Sequence, residues 1–347
     1  MGLARRNILF GIAAMPLGTL LAGRAVPGLT ATVYNGHELH TALGVAGTGS
    51  RIVLAPGDYG DIGRFVSSQP QVRLVAQVPH RTVLRSPLVL RGDGACLEGL
   101  AMDCGDDDGD AGFGIHLAGS GQTVIGQKMS GRGLNISGPG AEVARCEISG
   151  FSGVAIDVEG RATGAYVHDN LLRDARGNGI GISIGDSQIW TNVRVGARVV
   201  NNTVQNCSGG STESIRCKSS GNTFSGNRLL SSNNISNRHG ENNTYQNNLV
   251  ERSLGIVIQD ADNTLTGNRV VSGRTGAGIQ IMAGDIRHND VRQGKHPQAY
   301  NTRLQGNTGP LWIGRRYSGY IYPALETHVS SHGGTIRRDF EQGTDLP

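Results

Sequence analysis

Asn222-Thr-Phe-Ser-Gly-Asn227, Asn243-Thr-Tyr-Gln-Asn-Asn248 and Asn263-Thr-Leu-Thr-Gly-Asn268 repeat one another at a nearly constant interval, and Asn202-Thr-Val-Gln-Asn206 precedes them by one interval more. The second Asn of each segment recurs as Asn206, Asn227, Asn248, Asn268, Asn289 and Asn307. A unit of about 20 residues is too short for a pair of helices and too polar here for a leucine-rich repeat. It suits one rung of a parallel β-helix, in which two or three short strands are joined by tight turns and successive rungs stack ~4.8 Å apart. Asn favours such turns because it tolerates the left-handed region, and stacked on itself it forms an amide ladder. The repeat therefore predicts that Asn227, Asn248 and Asn268 share one column.

Working outward, Gln122-Thr-Val-Ile-Gly-Gln127, Ala144-Arg-Cys-Glu-Ile-Ser149 and His168-Asp-Asn-Leu-Leu172 read as the same rung with looser Asn usage. Leu88-Val-Leu-Arg91 and Cys96-Leu-Glu-Gly-Leu100 read as earlier strands. Residues 36–45 form a short amphipathic helix that caps the open N-terminal end of the core, as solenoids require. After about Gly309 the period is lost, and an irregular C-terminal cap built on Trp312, Tyr317, Tyr320 and Tyr322 is expected. The fold class is thus all-β, a right-handed parallel β-helix forming one domain over residues 26–347.

Composition agrees. Of 347 residues 54 are Gly, aromatics make up 5% and charged residues 17%, which excludes a coiled coil and a solvated disordered chain. The net charge of +4 includes Arg5, Arg6 and Arg24; without residues 1–25 it is +1, so no global case for nucleic acid exists. Arg5-Arg6-Asn7-Ile8-Leu9-Phe10, the apolar run after it and the small residues near Ala25 read as an export signal of twin-arginine type over 1–25. A periplasmic or secreted protein with no membrane span is expected, working as a monomer. The five cysteines show neither CxxC pairing nor metal-finger spacing, so buried free thiols are expected. Asp103 to Asp110 holds five carboxylates, but without the later Glu of an EF-hand loop it reads as a solvated turn.

Basic residues single out one place. Only Lys128, Lys218 and Lys295 are lysines. Lys218 and Arg238 stand one repeat apart, each four before an Asn (Asn222 and Asn242), so the repeat stacks them on one face of adjacent rungs. Arg198, one further repeat back, would extend the stripe. Cations crowded at strand spacing favour a neutral amine, and a neutral Lys can take a proton alpha to a carboxylate that an Arg holds. Those are the parts of a β-elimination on a uronic acid polymer. A solvated basic face is the other reading of the same spacing. An epimerase would use the same proton abstraction, and a non-catalytic carbohydrate-binding surface protein would not need Lys218. A glycosidase would show paired carboxylates instead.

Thr32-Val-Tyr-Asn-Gly-His-Glu-Leu-His-Thr-Ala-Leu43 and Arg51-Ile-Val-Leu-Ala-Pro-Gly-Asp-Tyr59, with Glu213-Ser-Ile-Arg-Cys-Lys-Ser-Ser-Gly-Asn222 and Asn237-Arg-His-Gly240, resemble polysaccharide lyase family 6. The resemblance implies a right-handed parallel β-helix and a lyase acting on alginate, with dermatan- or chondroitin-type glycosaminoglycan as the second substrate class. It implies Lys218 as Brønsted base, Arg238 as its partner, His239 as a substrate contact, and Glu213 with Asn178 as calcium ligands. Two positions depart from the family pattern: Ser211 stands where a second glutamate is found, and Val257 where an Arg is common. With one carboxylate fewer, weak or absent calcium is expected, the neutralising role passing to Arg238 with Arg216 and Arg198.

Overall fold

In a computed structural model, residues 25–61, 63–105, 112–185, 193–208, 213–271, 276–288, 290, 292 and 294–342 are described. The export-signal reading over residues 1–24, Asp106 to Asp110 of the acidic turn, Ser211 and Asn289 lie outside them. The chain is a right-handed parallel β-helix of about twelve turns. Each turn contributes one short strand to each of three parallel sheets, of 13, 12 and 12 strands. One turn, for example, runs Thr223–Ser225 in the first sheet, Arg228–Leu230 in the third and Asn234–His239 in the second, which carries the site and is called the site sheet below.

The strands alternate as a period of two demands. Within Thr223–Ser225, Thr244–Gln246 and Thr264–Thr266 the central Phe224, Tyr245 and Leu265 are fully buried while both flanking residues are partly exposed. Phe224 and Tyr245 stack at 4.9 Å between ring centroids. One apolar column runs the length of the solenoid from Val33 to Val329. Its N-terminal end is closed by the helix Gly36–Val45, which turns Leu39, Ala42 and Leu43 inward. Asn35 caps that helix by accepting from the Glu38 amide at 2.9 Å.

The turns are held by side-chain ladders at the corners. Asn170, Asn202, Asn227, Asn248, Asn268 and Asn307 form one column in which each Nδ2 before Asn307 donates to the Oδ1 of the Asn one turn on, as in Asn227 to Asn248 at 3.0 Å and Asn248 to Asn268 at 2.9 Å. Asn222 donates in the same way to Asn243, whose amide N–H donates to Asn263 Oδ1, in a second column. Ser232 and Ser253 occupy the third corner. Each of these side chains replaces water at a buried backbone N–H and C=O.

Three expectations need correction. Asn202 sits in the column of Asn227 rather than with Asn222, because the turn between Thr203–Gln205 and Glu213–Lys218 is longer than its successors. Asn206 stands outside the ladder, exposed in a turn at φ 54. The period also survives past Gly309: Leu311–Arg315 and Ile336–Arg338 are regular strands of the site sheet, so the C-terminal end is made of rungs. What breaks the period is an insertion. Asn268 bonds directly to Asn307, and the Ala299 N–H donates to the Met282 carbonyl at 2.9 Å, so the described residues between Met282 and Ala299 leave the solenoid, which closes again at one point.

Four of the five free cysteines are buried and Cys104 is half-buried. Burial pushes the Cys146 thiol up to about 12, as suits a packing group rather than a nucleophile. No helix of the described residues is long and apolar enough to cross a membrane.

Candidate active site

Two long strands of the site sheet, Glu213–Lys218 and Asn234–His239, carry the candidates. Ile215 and Cys217 point into the core, so Arg216 and Lys218 point out; Ile235 and Asn237 point in, so Ser236 and Arg238 point out. The repeat therefore brings Lys218 and Arg238 to the same outward face. They are not directly opposite. Cys217 pairs with Asn237, and after a register shift Lys218 pairs with His239, which leaves Arg238 as the extra residue of a bulge. A bulge at such a place re-aims a side chain.

The backbone below Arg238 is locked. Asn237 is fully buried, donating to the Gly240 and Gln259 carbonyls and accepting from Asn243 and the Tyr245 hydroxyl. Gly240 has φ 105, and a Cβ there would lie 2.0 Å from the Ser219 carbonyl oxygen, so the turn after His239 admits only glycine. Its N–H donates to Asp260 at 2.8 Å.

Arg238 is clamped from two sides. Its Nη1 donates to Glu213 Oε1 at 2.7 Å, and its Nη2 lies 3.2 Å from His296 Nε2. A guanidinium has no acceptor, so His296 Nε2 must carry the lone pair and the imidazole must be neutral. Burial and the Arg238 charge both hold the His296 pKa below its ordinary value, in keeping with that form. His239 is only 4% exposed, and burial with the nearby charges of Lys218 and Arg238 holds it down to about 3. It is a neutral imidazole at any working pH.

On the N-terminal side the outward column continues as Asp157, Ser183, Arg216 and Ser236. Arg216 donates to Ser183 Oγ at 3.1 Å, and burial lowers its guanidinium pKa against the pull of Glu213 and Asp157. Burial raises the Asp157 carboxyl to about 6 despite the nearby Arg216. On the C-terminal side a cleft of about 160 Å³ opens between Glu213, Asn234, Arg238, Gln259, His296 and Tyr320. Asn234 Oδ1 lines it as a buried acceptor with no hydrogen-bond partner. The cleft thus offers a fixed cation, a neutral imidazole and an amide acceptor to a polar, anionic ligand.

Of the predicted residues, Lys218, Arg238, His239, Arg216 and Glu213 gather on this face. Arg198 does not. It lies in the first sheet, paired with Tyr166 and Thr223, its guanidinium 4.2 Å over the Tyr166 ring. The turn from Arg198 to Thr223 is longer than the later ones, so one repeat length back from Lys218 lands on a different sheet. Asn178 is exposed in the turn ahead of Ile180–Ile184. The calcium donor set is a poor fit, since the one carboxylate it was assigned, Glu213, is already ion-paired with Arg238 at 2.7 Å. Among the described residues no group of three His, Cys, Asp or Glu is arranged to hold a metal. Sequence reasoning missed His296 and Tyr320, which reach the cleft from outside the repeat, Asn234, which stands three residues ahead of the Asn237-Arg-His-Gly240 motif on the same strand, and Asp157, whose strand carries no motif.

Neither protein-family models nor curated protein sequences match the chain. Solved structures do. A family 6 alginate lyase in complex with a trisaccharide superposes with a TM-score of 0.77 at 19% identity, covering 91% of this chain and 85% of that one. A family 6 polysaccharide lyase from Pseudopedobacter saltans gives 0.73 at 18% identity, covering 88% and 84%. The catalytic domain of an α-1,3-glucanase of glycoside hydrolase family 87 also matches, at 0.60 and 10% identity over 92% and 68%. The architecture that holds Lys218 and Arg238 is the parallel β-helix of the family 6 polysaccharide lyases.

Proposed function

We propose that the chain is a polysaccharide lyase that cleaves a uronate polymer, alginate above the others, by β-elimination. The observation that carries this reading is the outward pair of Lys218 and Arg238 on adjacent strands, with Arg238 clamped by Glu213 and His296. The solved lyases of the same fold, one of them holding a trisaccharide, support it. A retaining or inverting glycosidase would need two facing carboxylates. Around Arg238 the carboxylate is Glu213, and it is ion-paired.

In the proposed reaction Lys218 Nζ takes the C5 proton of the uronate. The electron pair left behind forms the C4–C5 double bond, the C4–O bond to the leaving sugar breaks, and the proton passes to the leaving oxygen. Arg238 holds the substrate carboxylate and the enolate charge that develops on it. Because its guanidinium is fixed before substrate arrives, little reorganisation accompanies the step. His239, neutral and buried beside Lys218 and Arg238, donates or accepts a hydrogen bond without adding charge. Arg216 meets the carboxylate of the neighbouring sugar.

Purified protein incubated with alginate, dermatan sulfate and pectate tests the reading through the ultraviolet absorbance of an unsaturated uronate. Lys218→Ala should abolish turnover with the fold intact, and Arg238→Lys should lose it by a factor of about 100 or more, since an ammonium cannot replace the planar fork. Arg198→Ala, on another sheet, should keep it. Near-native turnover in either of the first two variants on the cleaved polymer overturns the assignment.

We also place the neutralising role on arginine rather than calcium. Activity should survive exhaustive chelation; loss that only added calcium restores would refute this. The export signal read in residues 1–25 puts the reaction in the periplasm or outside the cell.

A further inference from the structure

We propose that the C-terminal end of the site sheet carries a distal subsite for an anionic saccharide unit, built from Gln280, Trp312 and Arg337. The outward column that holds Arg216 and Ser236 continues through Val257 to Gln280, Trp312 and Arg337, one residue per rung. Trp312 is three strands from the strand of Arg238, ~14 Å at ordinary strand spacing. An extended polymer lying along this face from the cleft reaches it without bending.

A second cavity, of about 220 Å³, opens there beside Gly278, Gln280, Pro310, Trp312 and Arg337. Gln280 is 3% exposed. Its Nε2 donates to the Gly276 carbonyl at 3.1 Å, which fixes the amide, and its Oε1 is buried with no hydrogen-bond partner. A buried acceptor left in that state calls for a donor, and a sugar hydroxyl is one.

The charge beside it is set as firmly. Arg337 Nε and the Trp312 indole N–H both donate to Asp339, each at 2.8 Å. The guanidinium groups of Arg337 and Arg315 lie 4.3 and 4.7 Å from the indole centroid. One carboxylate is thus shared by the indole and one of two arginines, and the patch stays cationic. A rigid aromatic body beside a planar cation and a directed acceptor is the combination that recognises a ring carrying a carboxylate and hydroxyls.

The inference rests on the lyase reading for the polymer it names, and the test separates the two. In Lys218→Ala protein, which should bind without turning over, titration calorimetry with size-fractionated oligouronates should show the octasaccharide binding at least tenfold tighter than the trisaccharide. Arg337→Ala should remove most of that difference while leaving trisaccharide affinity unchanged, and Gln280→Leu should narrow it. Arg337 is exposed, so its loss leaves the fold intact. Fluorescence gives a second readout: the octasaccharide should change the emission, and Trp312→Phe should abolish the change.

Equal affinity for both lengths, or a difference that survives Arg337→Ala, overturns the subsite. Length-dependent binding by the variant, with no unsaturated product from the wild type, overturns the lyase reading and leaves the subsite standing. Turnover without any effect of Arg337→Ala on long chains does the reverse.

Discussion

His239 lies beside Lys218 and Arg238 in a place too dry to hold a charge of its own. Its ordinary pKa of 6.5 falls to about 3 in the fold. Below pH 6.5 the unfolded chain gains a proton that the folded chain refuses, so the stability His239 contributes is complete above 6.5 and is lost as pH falls toward 3. Asp157 acts with the opposite sign. Raised from 3.8 to about 6, it keeps a proton that the unfolded chain releases, and stability declines as pH rises through that window. Replacing His239 with Gln should therefore flatten the acid limb of the melting temperature against pH, and Asp157→Asn should remove the opposing slope. A His239→Gln variant with an unchanged acid limb would show that the imidazole is charged in the native state. Arg238 and Glu213 follow the related rule that a mostly buried ion pair matters most when half of it is removed.

At the scale of the strand and its turn, the Asn column does what a single turn cannot. Asn248 Oδ1 accepts from both the backbone and the side chain of Asn227, and its own Nδ2 donates to Phe224 O and Asn268 Oδ1. Asn248→Ala orphans several of these buried groups at once and should cost about 3 kcal/mol, read from urea denaturation. Asn248→Asp is the sharper test. A carboxylate still accepts from Asn227 but cannot donate to Asn268, so the variant should be at least as unstable at neutral pH and recover part of the loss in acid, where the carboxyl regains a proton to donate. Equal effects of Ala and Asp at every pH would mean that shape, not the amide, is what the column requires.

For the molecule as a whole, the solenoid and the residues that complete its cleft are separable. The insertion 283–298 leaves and rejoins the rungs where Ala299 N–H meets Met282 O, and it is the segment that delivers His296 to Arg238. Replacing it with a short glycine linker should leave the β-helix folded, since Asn268 and Asn307 already bond across the gap. Turnover should fall about tenfold or more, the worth of one hydrogen bond to a charged group at ~1.5 kcal/mol. Circular dichroism and the rate on the cleaved polymer check the two halves. Loss of the fold would show that the insertion is structural, and an unchanged rate would show that His296 has no positioning role.

The sequence by itself determined the rung, the corner column of Asn227, Asn248 and Asn268, and the outward face shared by Lys218 and Arg238. These follow from two short-range periods, the alternation along a strand and the repeat around a turn, and both can be read from neighbouring residues. Only the tertiary structure decided the rest. One longer turn moved Arg198 to another sheet, and a bulge set Lys218 against His239 instead of Arg238. The partner of Arg238 came from His296, in a segment with no repeat at all. Local patterns fix which way a side chain points. The lengths of the turns and insertions between strands fix what it meets, and those distances are settled only when the rungs close on one another.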